Sequence, residues 1–279
     1  MREIDVGRIT EAVAELCVKA CLYLGDDVVA LLRKAKAEEE SDFGLYVIDC
    51  LLENLEIAAR EQIPICQDTG MTVVFLEIGQ DLHLVGGDLT EAVNAGVRRG
   101  YQEGYLRKSV LSPLSRINTK DNTPAVIHTK IVPGDRLKIT VAPKGAGSEN
   151  MSRVKMLKPA DGLEGIKQFV LETVLAAGAS PCPPLILGIG IGGTMEKAAL
   201  LAKEALLRKA GAPSPDPEVA QLEAEILDLV NQTGIGPQGL GGKVTALAVH
   251  IETYPTHIAE LPVAVNIQCH AARHQETVL

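Results

Sequence analysis

The sequence predicts a mixed α/β fold, with helices around mixed, partly antiparallel β-sheets and an irregular topology. Three observations predict it. Apolar residues recur at helical spacing in long segments, as in Ile9, Val13, Leu16, Cys17, Ala20, Cys21 and Leu24. Shorter runs such as MTVVFLEIG (71–79) and LPVAVNIQC (261–269) are rich in β-branched residues and read as strands. Helices and strands intermix, and closely spaced strands indicate hairpins. Antiparallel pairs follow, which is not the pattern of a regular doubly wound sheet.

In chain order, residues 9–36 read as helix, and Ser41-Asp42 caps a second helix over 41–60. MTVVFLEIG and DLHLVGG (81–87) are separated by almost nothing and read as a hairpin. A helix over 89–107 leads to the polar loop SPLSRINTKDNTPA. AVIHTKIV (125–132) and RLKITVAP (136–143) are strands joined by PGD, a turn signal. PKGAGSENMS is glycine-rich and irregular. A helix over 161–177 precedes a buried strand, PPLILGIGIGG, that runs into a glycine turn. Helices over 194–210 and 217–232 flank the break GAPSPDP, and NQTGIGPQGLGGK is a second glycine loop. VTALAVHIE and LPVAVNIQC close the chain. There is no internal repeat and no clear linker. Residues 1–279 therefore read as a single domain, with 1–40 as its N-terminal helical extension.

Composition excludes several function classes. Apolar residues make up 46% of the 279, so a sizeable core forms and disorder is excluded. The net charge of −9 argues against nucleic acid, whose phosphates need clustered Lys and Arg. With no Trp, five Tyr and three Phe, there is no base-stacking platform. The N-terminus, MREIDVGRIT, has no export-type apolar region, and no apolar run reaches membrane-spanning length. A cytoplasmic protein is the expectation, with its six cysteines reduced or bound to metal.

The cysteines sort into two groups. Cys17 and Cys21 lie on the apolar stripe of the first helix, and Cys50 sits among Ile48, Leu51 and Leu52; all three read as core. Cys66, Cys182 and Cys269 each stand at a strand end or in a loop rimmed by polar, Pro or Gly residues. On spacing alone they are ligands or chance packing. A closed structural zinc site wants four ligands. Three thiolates on a cubane iron–sulfur cluster leave one iron without a protein ligand, able to act as a Lewis acid. Among the histidines, His83 and His128 fall in strand patterns, His250 ends a strand, and His257 lies in a loop twelve residues before Cys269. GIGIGGTMEKA (188–198) loosely fits a dinucleotide fingerprint. However, it begins within the strand, and no acidic residue follows at the required distance.

The set ICQDTGM, LRKS, DNTPA, KGAGSEN, SPCPP, GIGIGGTMEKA, NQTGIGPQGLGGK and THIAELPVAVNIQCHAARH resembles the iron–sulfur class of fumarases and tartrate dehydratases. The likeness is to their N-terminal half or separate alpha subunit. It runs from about residue 40 to the C-terminus with the motifs in family order. It implies a 4Fe-4S cluster held by Cys66, Cys182 and Cys269, the fourth iron engaging substrate. It also implies that a second domain or a beta subunit supplies the rest of the site. This chain stops soon after Cys269, so it reads as the alpha subunit of a hetero-oligomer such as α2β2.

The implied reaction is hydration of fumarate to malate and its reverse. Tartrate dehydratase and mesaconate hydratase are close variants. By the same resemblance, Gln67 contacts substrate and Asp68 transfers a proton. Arg107 pairs with a substrate carboxylate, with Arg116 as its substitute, and Gly145 offers a backbone N–H. His257 shares or orients a proton. The family often shows a run of glycines at Gly145, which Ala146 interrupts here. A reading from a different class is a non-enzymatic scaffold that binds zinc through the same three thiols and one histidine.

Overall fold

The computed structural model describes residues 2–279. In chain order the elements are β1 (Arg2–Asp5), α1 (Val6–Leu22), α2 (Asp26–Glu38), α3 (Asp42–Glu61), β2 (Met71–Gly79), β3 (Leu82–Val85) and α4 (Leu89–Glu103). Then come β4 (Val126–Val132), β5 (Leu137–Lys144), the single turn α5 (Ala146–Glu149), β6 (Arg153–Leu157), α6 (Gly162–Ala177) and β7 (Leu185–Gly192). The chain finishes with α7 (Met195–Ala205), α8 (Pro217–Asn231), β8 (Ala246–Tyr254), β9 (Leu261–Gln268) and β10 (Gln275–Val278). The fold is mixed α/β, and among the described residues it has three sheets, two of them containing both parallel and antiparallel pairs. Among the described residues no helix is long and apolar enough to cross a membrane.

Three expectations are corrected. The helix expected over 9–36 is two helices, broken where Tyr23 turns extended to end α1 and Gly25 caps α2. β2 and β3 do not form a hairpin. β2 is occupied on both edges, by β4 in parallel and β5 antiparallel, while β3 pairs with the N-terminal β1. Cys50 is exposed. The buried stripe of α3 runs through Val47 and Ile48, and Cys50 falls outside it.

The chain divides into two compact units. The first comprises residues up to Leu24, Leu55–Ala146 and Arg273–Leu279. Its sheet has the order β10-β5-β2-β4. Val74 and Leu76 of β2 and Ile139 and Val141 of β5 meet Ile9, Val13 and Cys17 of α1 and Val93 and Val97 of α4 in one core. Each strand sends alternate residues to that face, as the two-residue period of a strand requires.

The second unit comprises Gly25–Asn54 and Gly147–Ala272, around a sheet of order β6-β9-β7-β8. Leu185, Leu187 and Ile189 of β7 share a core with Ile166, Phe169 and Val170 of α6 and Leu222 and Ile226 of α8. The alternate residues of β7, Gly188 and Gly190, meet α7. A Cβ on Gly188 would fall 2.1 Å from the Ala202 carbonyl oxygen, and one on Gly190 2.0 Å from that of Ala198. The GIGIGG run therefore lets a helix backbone lie directly on the strand, a packing use of glycine.

Glu39 latches the second glycine loop. Its carboxylate is 6% exposed and accepts N–H bonds from Glu40, Ser41, Lys243 and Val244, the first, second and fourth at 2.9 Å. Burial pushes its pKa up, but the N–H groups of Lys243, Ser41, Val244 and Glu40 outweigh burial and hold it below the usual value. Glu39→Ala should destabilise the protein by about 3 kcal/mol in chemical denaturation, since it strands several buried donors. The latch is fully formed above the carboxylate's unfolded pKa. Its contribution is lost as pH falls through the lower folded value. An unchanged denaturation midpoint would contradict the role.

Candidate active site

Between α3 and β2 the chain runs through Cys66-Gln67-Asp68-Thr69-Gly70, and the first unit fixes this loop from several sides. The Tyr101 hydroxyl donates toward the Thr69 carbonyl at 2.7 Å, with the Gly70 carbonyl at 3.1 Å. Thr69 Oγ1 donates to the Arg107 carbonyl at 3.0 Å. Asn122 is fully buried. Its Nδ2 donates to the Gly70 carbonyl at 3.2 Å, and its Oδ1 accepts from the N–H groups of Ser109 and Val110. Arg273 Nη2 donates to the Asp68 carbonyl. Gly70 has φ 77, and a Cβ there would lie 2.7 Å from the Lys144 nitrogen, so only glycine closes the loop against β5.

This scaffold leaves the predicted side chains at the surface. Cys66 and Asp68 are half-buried, and Gln67 and Arg107 are exposed. Arg107 Nη1 stands 3.4 Å from Gln67 Oε1, so the cation and the amide share one face. Asp68 Oδ1 accepts from Gly70 N–H at 3.0 Å, and its Oδ2 accepts from Ala146 N–H at 2.9 Å. These bonds draw Gly145 in as well; a Cβ on it would sit 3.3 Å from Asp68 Oδ2. The structure thus brings Cys66, Gln67, Asp68, Arg107 and Gly145 together. Arg116 is exposed at φ 59 on the 112–117 turn.

In the second unit, Cys182 precedes β7 and Cys269 follows β9. These strands are antiparallel, with Ile186 opposite Gln268, so both cysteines lie at the same end of the sheet. His270 N–H donates to the Cys182 carbonyl at 3.4 Å. Cys182 is exposed and holds φ 56, a left-handed conformation rare outside glycine and concentrated at functional sites. His257 stands at the other end. It follows β8, whose Tyr254 lies opposite Gly192, the last residue of β7. The seven steps of β7 put roughly 23 Å between the two ends. Around His257 is a cavity of about 420 Å³ lined by Gly193, Thr194, Lys197, Tyr254 and Glu260. Ala259 N–H donates to His257 Nδ1 at 3.2 Å. His250, by contrast, is buried, with Gly211 N–H on Nε2 and the Ala205 carbonyl at Nδ1. Burial, then Arg208, holds its pKa below the usual histidine value, so it serves as a neutral structural bridge.

The donor chemistry separates the thiols. Burial pushes Cys17 far up and Cys21 up to about 11, so both stay protonated and are poor ligands. Cys66, Cys182 and Cys269 are exposed or half-buried and fit thiolate ligation of a cluster. Among the described residues, no three His, Cys, Asp or Glu side chains gather closely enough to surround a single metal ion. A cubane spreads its thiolates over separate irons, so its donors stand farther apart than those around one ion.

A family model described as Fumarate hydratase (Fumerase) matches residues 10–278. The chain belongs to this family. The fumarate hydratase family assignment is echoed by individual relatives. A Methanocaldococcus jannaschii protein named "Putative L(+)-tartrate dehydratase subunit alpha" is 46% identical over 272 residues, 95% of each chain. The L(+)-tartrate dehydratase subunit alpha of Escherichia coli K12 is 34% identical over 272 residues, 96% of this chain and 89% of its own. The protein of that name from Shigella sonnei matches equally.

Sequence reasoning missed Tyr101, Asn122 and Arg273 as supports of the Cys66 loop. DNTPA and CHAARH contain two of them, and a buried Asn or Arg inside a motif is the signal that was there to read. Tyr101 carried no such signal, because a tyrosine on an amphipathic helix reads as core.

Proposed function

We propose that this chain is the alpha subunit of a hydro-lyase that hydrates fumarate to malate and catalyses the reverse. Its cofactor is a 4Fe-4S cluster held by Cys66, Cys182 and Cys269, and a beta subunit completes the site in a hetero-oligomer such as α2β2. One observation carries the reading: Cys66, Gln67 and Asp68 stand on a loop secured from behind, with Arg107, from the segment after α4, beside Gln67. Membership of the fumarate hydratase family and the alpha-subunit names of the relatives support it.

When bound, the cluster supplies a Lewis-acidic iron that no protein side chain occupies. The chain's own residues do the rest. Arg107 and Gln67 bind and orient a substrate carboxylate, the guanidinium as a planar fork. The Gly145 N–H stabilises charge on a carboxylate oxygen. Asp68 takes the poorly acidic C–H proton next to a carboxylate and returns it in the hydration direction. Within one chain His257 lies at the far end of the sheet from Cys182 and Cys269. In this reading it therefore serves proton transfer in the site of a neighbouring copy. The cytoplasm suits an iron centre vulnerable to oxidants.

The relatives' names favour a second reading, dehydration of L(+)-tartrate, which is malate carrying one more hydroxyl. The test is an anaerobic assay of the complex with its beta subunit on fumarate, mesaconate and L(+)-tartrate. We expect kcat/KM for fumarate to exceed that for tartrate by roughly tenfold or more. The opposite ranking would install the tartrate reading. Turnover of none of them would contradict both.

A further inference from the structure

We infer that Arg273 is a positioning residue for the Cys66–Asp68 loop, holding the Asp68 main chain and supplying a fixed positive charge behind Cys66. The inference rests on the proposed cluster-dependent reaction and adds to it a residue outside the ligand and substrate-contact set.

Arg273 is 5% exposed. Nη2 donates to the Asp68 carbonyl, a neutral acceptor. Nε and Nη1 are also buried, and neither has a hydrogen-bond partner among the described residues. A guanidinium is a cation that carries five N–H donors in a rigid fork. Burying that cation half-bonded is costly, and a buried charge of this kind needs an anion or acceptor to complete it.

The place of Arg273 in the first unit says which anion. Cys21 lies within electrostatic reach of Arg273, Cys66 and Asp68 together, so the guanidinium stands in the same neighbourhood as the loop's thiol and carboxylate. Each Asp68 carboxylate oxygen already accepts one N–H, from Gly70 or Ala146. The open donors are assigned to Cys66, two residues before the carbonyl that Nη2 holds, and to the anionic cluster it would bind. Such support behind a metal ligand orients it and tunes the metal, and its loss generally costs 10–100-fold in metal affinity or activity. Two effects follow. The charge helps retain the cluster, and the fork, through the Asp68 carbonyl, aims the Asp68 side chain.

The test uses the anaerobic complex with its beta subunit, comparing wild type, Arg273→Lys and Arg273→Met. Readouts are iron per complex, the rate of iron loss to a chelator, kcat and KM separately, and the thermal midpoint. Arg273→Met should release iron faster by about 10–100-fold. Arg273→Lys keeps the charge but not the fork. It should hold iron as wild type does and lose about tenfold or more in kcat with little change in KM. Wild-type iron retention and kcat in both variants would overturn the assignment. So would losses that only track a falling thermal midpoint, with Lys no better than Met. A wild-type complex without iron would remove the cluster reading itself, and this assignment with it.

Discussion

Cys66→Ser should strip the bound iron from the alpha–beta complex and abolish its hydro-lyase activity, while Cys17→Ser leaves both intact. The two residues share a side chain but not an environment. Cys17 is fully buried in the first unit's core, and burial holds its thiol protonated. Serine there costs packing and leaves a hydroxyl needing a partner, a stability effect of about 1–3 kcal/mol. Cys66 sits half-buried on a loop fixed by Tyr101, Asn122 and Thr69. Serine there changes little in the fold and removes the sulfur that would bind iron. Cys182→Ser and Cys269→Ser should behave as Cys66→Ser does. Iron analysis and kcat on all four variants check the sorting, and equal effects at Cys17 and Cys66 would undo it.

Asp68→Asn should retain the iron but lower kcat by on the order of 10² to 10⁴, the range for a lost acid–base group. The substitution carries a structural cost too. An amide has one acceptor oxygen, and the Gly70 and Ala146 N–H groups both donate to this side chain. Ala146→Pro separates the two effects. It deletes the N–H that meets Asp68 Oδ2 at the first position of a helical turn, where proline is tolerated, and leaves the carboxylate in place. It should cost less than about tenfold in kcat, as expected for losing one neutral-donor bond. A loss equal to that of Asp68→Asn would make Asp68 a turn carboxylate and nothing more. Co-assembled Asp68→Asn and His257→Asn alpha subunits should regain activity that neither has alone, because His257 is assigned to a neighbouring copy. No recovery would count against that placement of His257.

What the sequence disclosed follows the reach of each signal. Helices with a clear apolar stripe, such as α4 and α6, were legible because a 3.6-residue period needs no knowledge of the partner. β7 was legible as a buried strand from its apolar run. Pairing was not. DLHLVGG lies next to β2 in sequence, yet β3 joins β1, because β2 is central and both its edges are taken. β10 is four residues, Gln275–Val278, on the edge of β5, too short for alternation to speak. The glycines at 188 and 190 only loosely fit a dinucleotide fingerprint, and the close approach of α7 explains them instead. At the site, the side chains proposed to touch substrate were named through motif resemblance. The residues that hold the loop were not, since Tyr101, Asn122 and Arg273 act through backbone carbonyls and amides that only a folded chain places within reach.

The most direct test is metal analysis of the complex purified anaerobically with its beta subunit, beside the same complex carrying Cys66→Ser, Cys182→Ser or Cys269→Ser. The account predicts a brown protein with about four irons per alpha–beta pair, and loss of that iron in each of the three variants. A colourless complex with stoichiometric zinc, or iron that survives all three substitutions, would contradict it.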